Sequence, residues 1–149
     1  MRSNFDVSID GCTYRERKPM GVTAIQTKSA PLPKGNYSQA VRIGDLLFIS
    51  GQLPLDAEGR LVSGTVAAQA KQALSNIRAI LEAAGGTMAH MVQCTIYISD
   101  ITHWAEVDMV YGTFMAGVPV LPARVVVPVK EMHYGAHIEI QAIASLHPK

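Results

Sequence analysis

Cysteine is nearly missing from this 149-residue chain: Cys12 and Cys94 are too few for a disulfide framework. Cys94 falls in an apolar strand pattern and reads as a small buried hydrophobe, while Cys12, in an irregular N-terminal region, reads as an incidental thiol. Metal-ligand spacing is lacking too. The two cysteines are too far apart for a zinc knuckle, the five histidines offer no HExxH, and only His133 and His137 are close enough to weigh as ligands. No bound metal is expected. GxGxxG and GxxxxGK[ST] are both absent, which removes the usual grounds for a dinucleotide or nucleoside triphosphate, and Ser50 sits in no GxSxG elbow. No apolar run approaches the roughly 20 residues of a membrane span, and the opening residues Met1-Arg2-Ser3-Asn4-Phe5-Asp6 have no secretory apolar core. No membrane partner is expected, and the chain is placed in the cytoplasm. Positive charge is also scarce where it would matter. The net charge of +1 hides six Lys/Arg against three Asp/Glu in residues 1–34 and seven against nine in 35–149. A mildly acidic globular part has the wrong sign for gripping phosphates, so no nucleic-acid partner is expected, and Arg15, Arg17 and Lys18 read as a solvated arm.

What is present is apolar: 48% of residues are hydrophobic and 17% charged. The length fits one domain, residues 35–149, preceded by an N-terminal extension, 1–34, with one short edge strand at 22–26. From Tyr37 to Ile43, and again from Leu46 to Gln52, strand patterns flank Gly44-Asp45, which predicts a β-hairpin ending at Gly51. Val66, Ala70, Ala73, Leu74, Ile77, Leu81 and Ala84 make one helical stripe, capped by Ser63 or Thr65 and stopped by Gly85-Gly86. Met91–Ser99 alternates with Val92, Cys94, Ile96 and Ile98 on one face. Thr102 is positioned to cap a second helix whose Trp104, Val107, Tyr111 and Phe114 are assigned to packing.

One charge stands out. Leu121-Pro122-Ala123-Arg124-Val125-Val126-Val127 is a β-branched strand apolar enough for burial on both faces, yet it carries a guanidinium, which must be paired or face an anion's cavity. The final strand places Ile138, Ile140, Ala142 and Ala144 on one face and His137, Glu139 and Gln141 on the other. The short connection predicts that these two strands pair antiparallel, opposing Arg124 to Glu139 across a turn at Glu131-Met132. The order ββαβαββ implies an α+β two-layer sandwich, a mixed sheet with two helices on one face. The other face needs cover, and a second copy of the same sheet would supply it, which predicts a homo-oligomer.

Four segments in order carry a family likeness: Gly35-Asn36-Tyr37-Ser38-Gln39-Ala40, Ile49-Ser50-Gly51-Gln52-Leu53-Pro54-Leu55, Leu121-Pro122-Ala123-Arg124, and Ile138-Glu139-Ile140-Gln141-Ala142-Ile143-Ala144. With the Gln69–Gly85 helix they make the chain from about Ala30 to Ser145 resemble the RidA (YjgF-like) family of reactive enamine/imine deaminases, whose older labels are endoribonuclease L-PSP and translation initiation inhibitor. The resemblance implies a chorismate-mutase-like fold and a homotrimer with sites at subunit interfaces. It implies Arg124 as the grip on a substrate carboxylate, Tyr37 as a site tyrosine, Ser50 and Gly51 as a substrate-contacting turn, and Glu139 as the carboxylate that handles water. Plain structural roles stand beside these: Tyr37 packing at an interface, Ser50 ending a strand, Glu139 neutralising Arg124. Val125 and Val126 follow the arginine where many members have small or polar residues, and Val126, on the same face as Arg124, makes a drier pocket wall. Asp108 stands where several members have Asn, and Gln141 where a second Glu is common.

The implied function is hydrolysis of 2-aminoacrylate or 2-iminopropanoate class intermediates to a 2-oxo acid and ammonia, with no cofactor. Catalysis would rest on Arg124, Glu139 and Tyr37, and substrate contacts on Ser50, Gly51, Val126 and Asp108. A non-catalytic carboxylate-binding or chaperone-like trimer is the alternative, favoured by Val126 and Asp108. Cleavage of RNA fits the charge pattern least.

Overall fold

The computed structural model describes residues 21–147, together with the backbone of a two-residue ladder in which β1 (Ser8–Ile9) pairs antiparallel with β2 (Cys12–Thr13). The Cys12 thiol and the Arg15, Arg17, Lys18 cluster lie outside the described residues. Eight further elements follow: β3 (Val22–Ile25), β4 (Ala40–Ile43), β5 (Leu46–Gln52), α1 (Val66–Ala83), β6 (Met91–Ile98), α2 (Trp104–Phe114), β7 (Ala123–Pro128) and β8 (Ile138–Ser145). They build one six-stranded mixed sheet in the order β3-β4-β5-β8-β6-β7, with α1 and α2 on one face, an α+β two-layer architecture. Among the described residues no helix is long and apolar enough to cross a membrane.

The local chemistry accounts for the elements. β4 and β5 form the expected hairpin, turned by Gly44 at φ 56°, a left-handed value that a residue without Cβ adopts at little cost. Thr65 caps α1 by accepting a hydrogen bond from the Ala68 amide at 3.2 Å, and Gly85 at φ 82° ends the helix. The stripe Val66, Ala70, Ala73, Leu74, Ile77 and Leu81 is buried, joined by Ile80, against Leu47, Ile49, Ile96, Ile138 and Ile140 of the sheet. Fully burying each Val, Leu or Ile of this set contributes about 1.5–3 kcal/mol. Of the stretch set apart in sequence as an extension, the described residues 21–34 supply the edge strand β3 and the core residue Ala30.

Four expectations change. The first is strand pairing: β8 is not the neighbour of β7 but lies between β5 and β6, while β7 runs parallel to β6 at the sheet's edge. The β6–α2–β7 segment is a crossover, which returns the chain in the same direction beside β6, and the 129–137 connection is long enough to step past β6 afterwards. Arg124 is therefore in register with Cys94, and Glu139 with Tyr97. These positions alternate onto opposite faces, so Arg124 shares the helix-covered side and Glu139 the uncovered side. Second, β7 is not buried on both faces; as an edge strand it leaves Val125 49% exposed. Third, a register shift between Met91 and Gln93 turns Met91 inward and leaves Val92 46% exposed. Fourth, α2 is entered through a 3₁₀ turn, Ile101–His103, capped by Asp100, whose Oδ1 accepts from the Thr102 amide at 2.8 Å. Thr102 is a donor there and not the cap. Displaced in this way, Trp104 is 42% exposed, and only Val107 and Tyr111 of its stripe are buried.

Buried amides hold the loops. Gln39, 2% exposed, accepts from the Thr27 amide at 2.7 Å and donates to the carbonyls of Thr27, Ala30 and Pro31. Asn76 donates to the carbonyls of Leu53 and Leu55, and Gln69 accepts from the His137 amide at 2.7 Å. An apolar residue of equal size at Gln39 would leave this buried backbone without partners. Gln39→Leu is expected to lower unfolding free energy by about 2–4 kcal/mol in urea titration, with no loss of helix or strand content.

Candidate active site

β5 breaks register with β8 between Ile49 and Gln52, and Gly51 lies in that irregularity. A Cβ at Gly51 would overlap Oε1 of Glu139 and lie 2.9 Å from its Cδ, so the missing side chain is what leaves room for the carboxyl. Ser50 anchors the same turn: its Oγ donates to the Ser38 carbonyl at 2.7 Å and its amide to the Gln39 carbonyl at 3.0 Å. Tyr37, one residue before that anchor, is 56% exposed. These four residues line one cavity of about 520 Å³.

Three more lining residues lie outside the strand patterns. Lys34, His133 and Tyr134 share the cavity with Leu53 and Gln141. Tyr134 holds φ 63°, a left-handed value rare for an aromatic residue, and the Lys34 ammonium lies 5.6 Å from its ring centre while donating to the Gly59 carbonyl at 3.1 Å. These residues come from irregular segments, where no periodicity marks a side chain as inward. The only sequence signal was Tyr134-Gly135 beside two histidines. Burial raises the Glu139 carboxyl above the ordinary glutamate value, partly offset by His133. Ser50 and Gln141 also line a smaller depression of about 250 Å³ with Val41, Phe48 and Ile143. The cavity therefore opens onto the uncovered, apolar face of the sheet.

Arg124 lies elsewhere. Its side chain, 20% exposed, is ion-paired through Nη1 to Oδ1 of Asp108 at 2.7 Å, with the rings of Tyr111 and Trp104 at 4.6 and 5.8 Å from the guanidinium. The expected opposition to Glu139 does not occur within one chain; the carboxylate that neutralises Arg124 is Asp108, projecting from α2. Val126, on the same face, packs against the core. Beneath the arginine the Tyr111 hydroxyl is buried without a hydrogen-bond partner, and burial pushes it up to about 12. Cys94 is also pushed up to about 12, chiefly by burial, which makes its thiol inert as a nucleophile. His133 and His137 part company: His137 reaches the Ser99 hydroxyl at 3.0 Å and stacks edge-on with His103, while His133 faces the cavity. Among the described residues no three His, Cys, Asp or Glu side chains gather as a metal set.

One chain thus carries a carboxyl-bearing cavity and an aromatic-flanked guanidinium on opposite faces of one sheet. Known proteins are similar to the chain over most of its length. The model of the family described as endoribonuclease L-PSP matches residues 27–146. The chain belongs to the RidA (YjgF-like) family. Protein DfrA of Myxococcus xanthus is 43% identical over 128 residues, spanning 84% of this chain and 96% of that protein. The 2-iminobutanoate/2-iminopropanoate deaminase of Rattus norvegicus is 42% identical over 125 residues, 83% of this chain and 90% of its own. Among solved structures, E. coli TdcF with bound serine superposes with a TM-score of 0.79 at 33% identity, covering 83% of this chain and 98% of that one.

The raised Glu139 makes a stability prediction with a definite sign. A carboxyl that binds its proton more tightly folded than unfolded supports the fold below the unfolded value and loses that support as pH rises through the folded one. Glu139→Gln is therefore expected to melt higher than the parent at neutral pH, with the difference closing as pH falls below the ordinary glutamate range. A thermal denaturation series across pH checks this.

Proposed function

We propose that the protein hydrolyses amino-acid-derived imines and enamines of the 2-aminoacrylate/2-iminopropanoate class to 2-oxo acid and ammonia, at sites shared between copies in a homotrimer. The observation that carries this reading is the Glu139 carboxyl, raised by burial and seated over Gly51 in a cavity that Tyr37 and Ser50 also line. The rat relative's name gives the same reaction class at 42% identity. Because Arg124 lies on the other face of its own sheet, the guanidinium that meets Glu139 in this reading belongs to a neighbouring copy.

The chemistry asks little of the protein. An iminium carbon is already electrophilic, and the enamine reaches it by taking a proton on carbon. Arg124 fixes the substrate carboxylate through its planar fork, which confines the reacting carbon to the cavity. Glu139 takes a proton from water as the oxygen bonds to carbon, and the C=N electron pair moves to nitrogen. The resulting carbinolamine receives the proton back on nitrogen, the C–N bond breaks with its electron pair leaving on ammonia, and the hydroxyl gives its proton to Glu139 as the C=O of the 2-oxo acid forms; Glu139 then passes that proton to ammonia or water. A carboxyl with a raised proton affinity suits both transfers, and Tyr37, which lines the same cavity, serves as relay in this reading. The carboxylate-binding trimer without turnover is favoured by one observation, the Asp108 ion pair that already occupies Arg124. The description endoribonuclease belongs to the family's model; nine acids against seven bases over residues 35–149 give little pull on a polyanion.

Generating 2-aminoacrylate in situ with a dehydratase and following 2-oxo acid release tests the reading. The protein is expected to accelerate release, and Arg124→Ala to abolish the acceleration. The same variant is expected to cost only about 1–2 kcal/mol of stability, since the pair it breaks is partly open to solvent on the Asp108 side and the ring contacts are modest. No acceleration by the parent protein would leave the binding reading. Static light scattering is expected to give three chain masses at micromolar concentration, and a stable monomer there would overturn the shared-site arrangement.

A further inference from the structure

Arg124 is gripped from three sides. The Tyr111 ring centre lies 4.6 Å from the guanidinium carbon, the Trp104 ring 5.8 Å away, and Asp108 contacts one terminal nitrogen, Nη1, at 2.7 Å. The two rings hold the plane of the group without neutralising its charge. Asp108 does the reverse. Its single contact leaves the rest of the fork unused, but its full negative charge stands beside the spot where an incoming carboxylate would dock. At 44% exposure that charge is only partly screened by solvent.

We propose that Asp108 is a specificity-determining residue that holds down the site's affinity for small monocarboxylates by neutralising Arg124 in advance. The inference rests on the reading of Arg124 as a carboxylate clamp and deepens it. A guanidinium already paired gains less from a second carboxylate than a bare one, and the two anions repel each other across it. The occupied arginine would thus tolerate abundant small carboxylates in the surroundings and hold a ligand firmly only when further contacts, such as those lining a neighbouring copy's cavity of about 520 Å³, add to the clamp. Orientation of the guanidinium does not depend on Asp108, because the rings remain when the charge is removed, and an amide of the same shape still accepts from Nη1.

Titration calorimetry of the full chain with 2-oxobutanoate, a non-reacting monocarboxylate, separates the outcomes. Asp108→Asn is expected to bind it about tenfold more tightly than the parent, the factor that about 1.4 kcal/mol of relieved repulsion produces, with the gap narrowing as salt is raised. In the coupled dehydratase assay the same variant is expected to lower KM while leaving kcat nearly unchanged, the signature of altered binding without altered chemistry. Unchanged or weaker binding in Asp108→Asn, with binding lost in Arg124→Ala, would overturn the role given to Asp108 while the clamp stands. Parent-like binding in Arg124→Ala would remove the clamp and the inference with it.

Discussion

The placement of β8 between β5 and β6 is the constraint from which the other features follow. Ile138, Ile140, Ala142 and Ala144 are buried along the middle of the sheet, and their pairing with both neighbours closes the largest part of the hydrogen-bonded ladder. That placement lays Glu139 against the turn at Gly51, where no side chain stands in the way. It also pushes β7, and Arg124 with it, to the edge of the sheet. The carboxyl-bearing cavity and the guanidinium are separated by one decision of topology.

Elements whose pattern is local could be read directly. The α1 stripe, its Thr65 cap and the Gly85 stop depend on spacing over a few residues, and the β4–β5 hairpin depends on a two-residue turn. Pairing between distant strands has no such local mark. A short link between two strands usually joins neighbours, and here the crossover through α2 overrode that expectation because β7 had to return parallel to β6. Val92 was misplaced for a different reason: one irregular residue at the start of β6 inverts the faces upstream of it, and alternation in sequence cannot reveal a bulge. Trp104 was misplaced because Asp100 starts the helix through a 3₁₀ turn, rotating the first residue out of the core.

The cavity was legible in part. Tyr37, Ser50, Gly51 and Glu139 sit in strands or beside them, where pattern and family likeness point to the same residues, and the fold brings all four to one cavity. Lys34, His133 and Tyr134 come from loops whose path is set by buried amides such as Gln39, Asn76 and Gln69, and such long-range hydrogen bonds leave no periodic trace. Arg124 was singled out correctly as the chain's odd cation, but its partner was misassigned. Asp108 lies on a helix face that spacing alone could not aim at the sheet's edge.

The central position of β8 also governs when the molecule can assemble. Leu46 pairs with Ser145 and Ile49 with Ala142, so strands almost a hundred residues apart must meet before the sheet has a middle. Until residue 145 has left the ribosome, β5 and β6 each present an unpaired inner edge beside exposed aliphatic side chains. The nascent chain therefore holds an open sheet until β8 emerges. Its folding is governed by a late, non-local closure, a topology that folds slowly and is exposed to aggregation before the last strand docks.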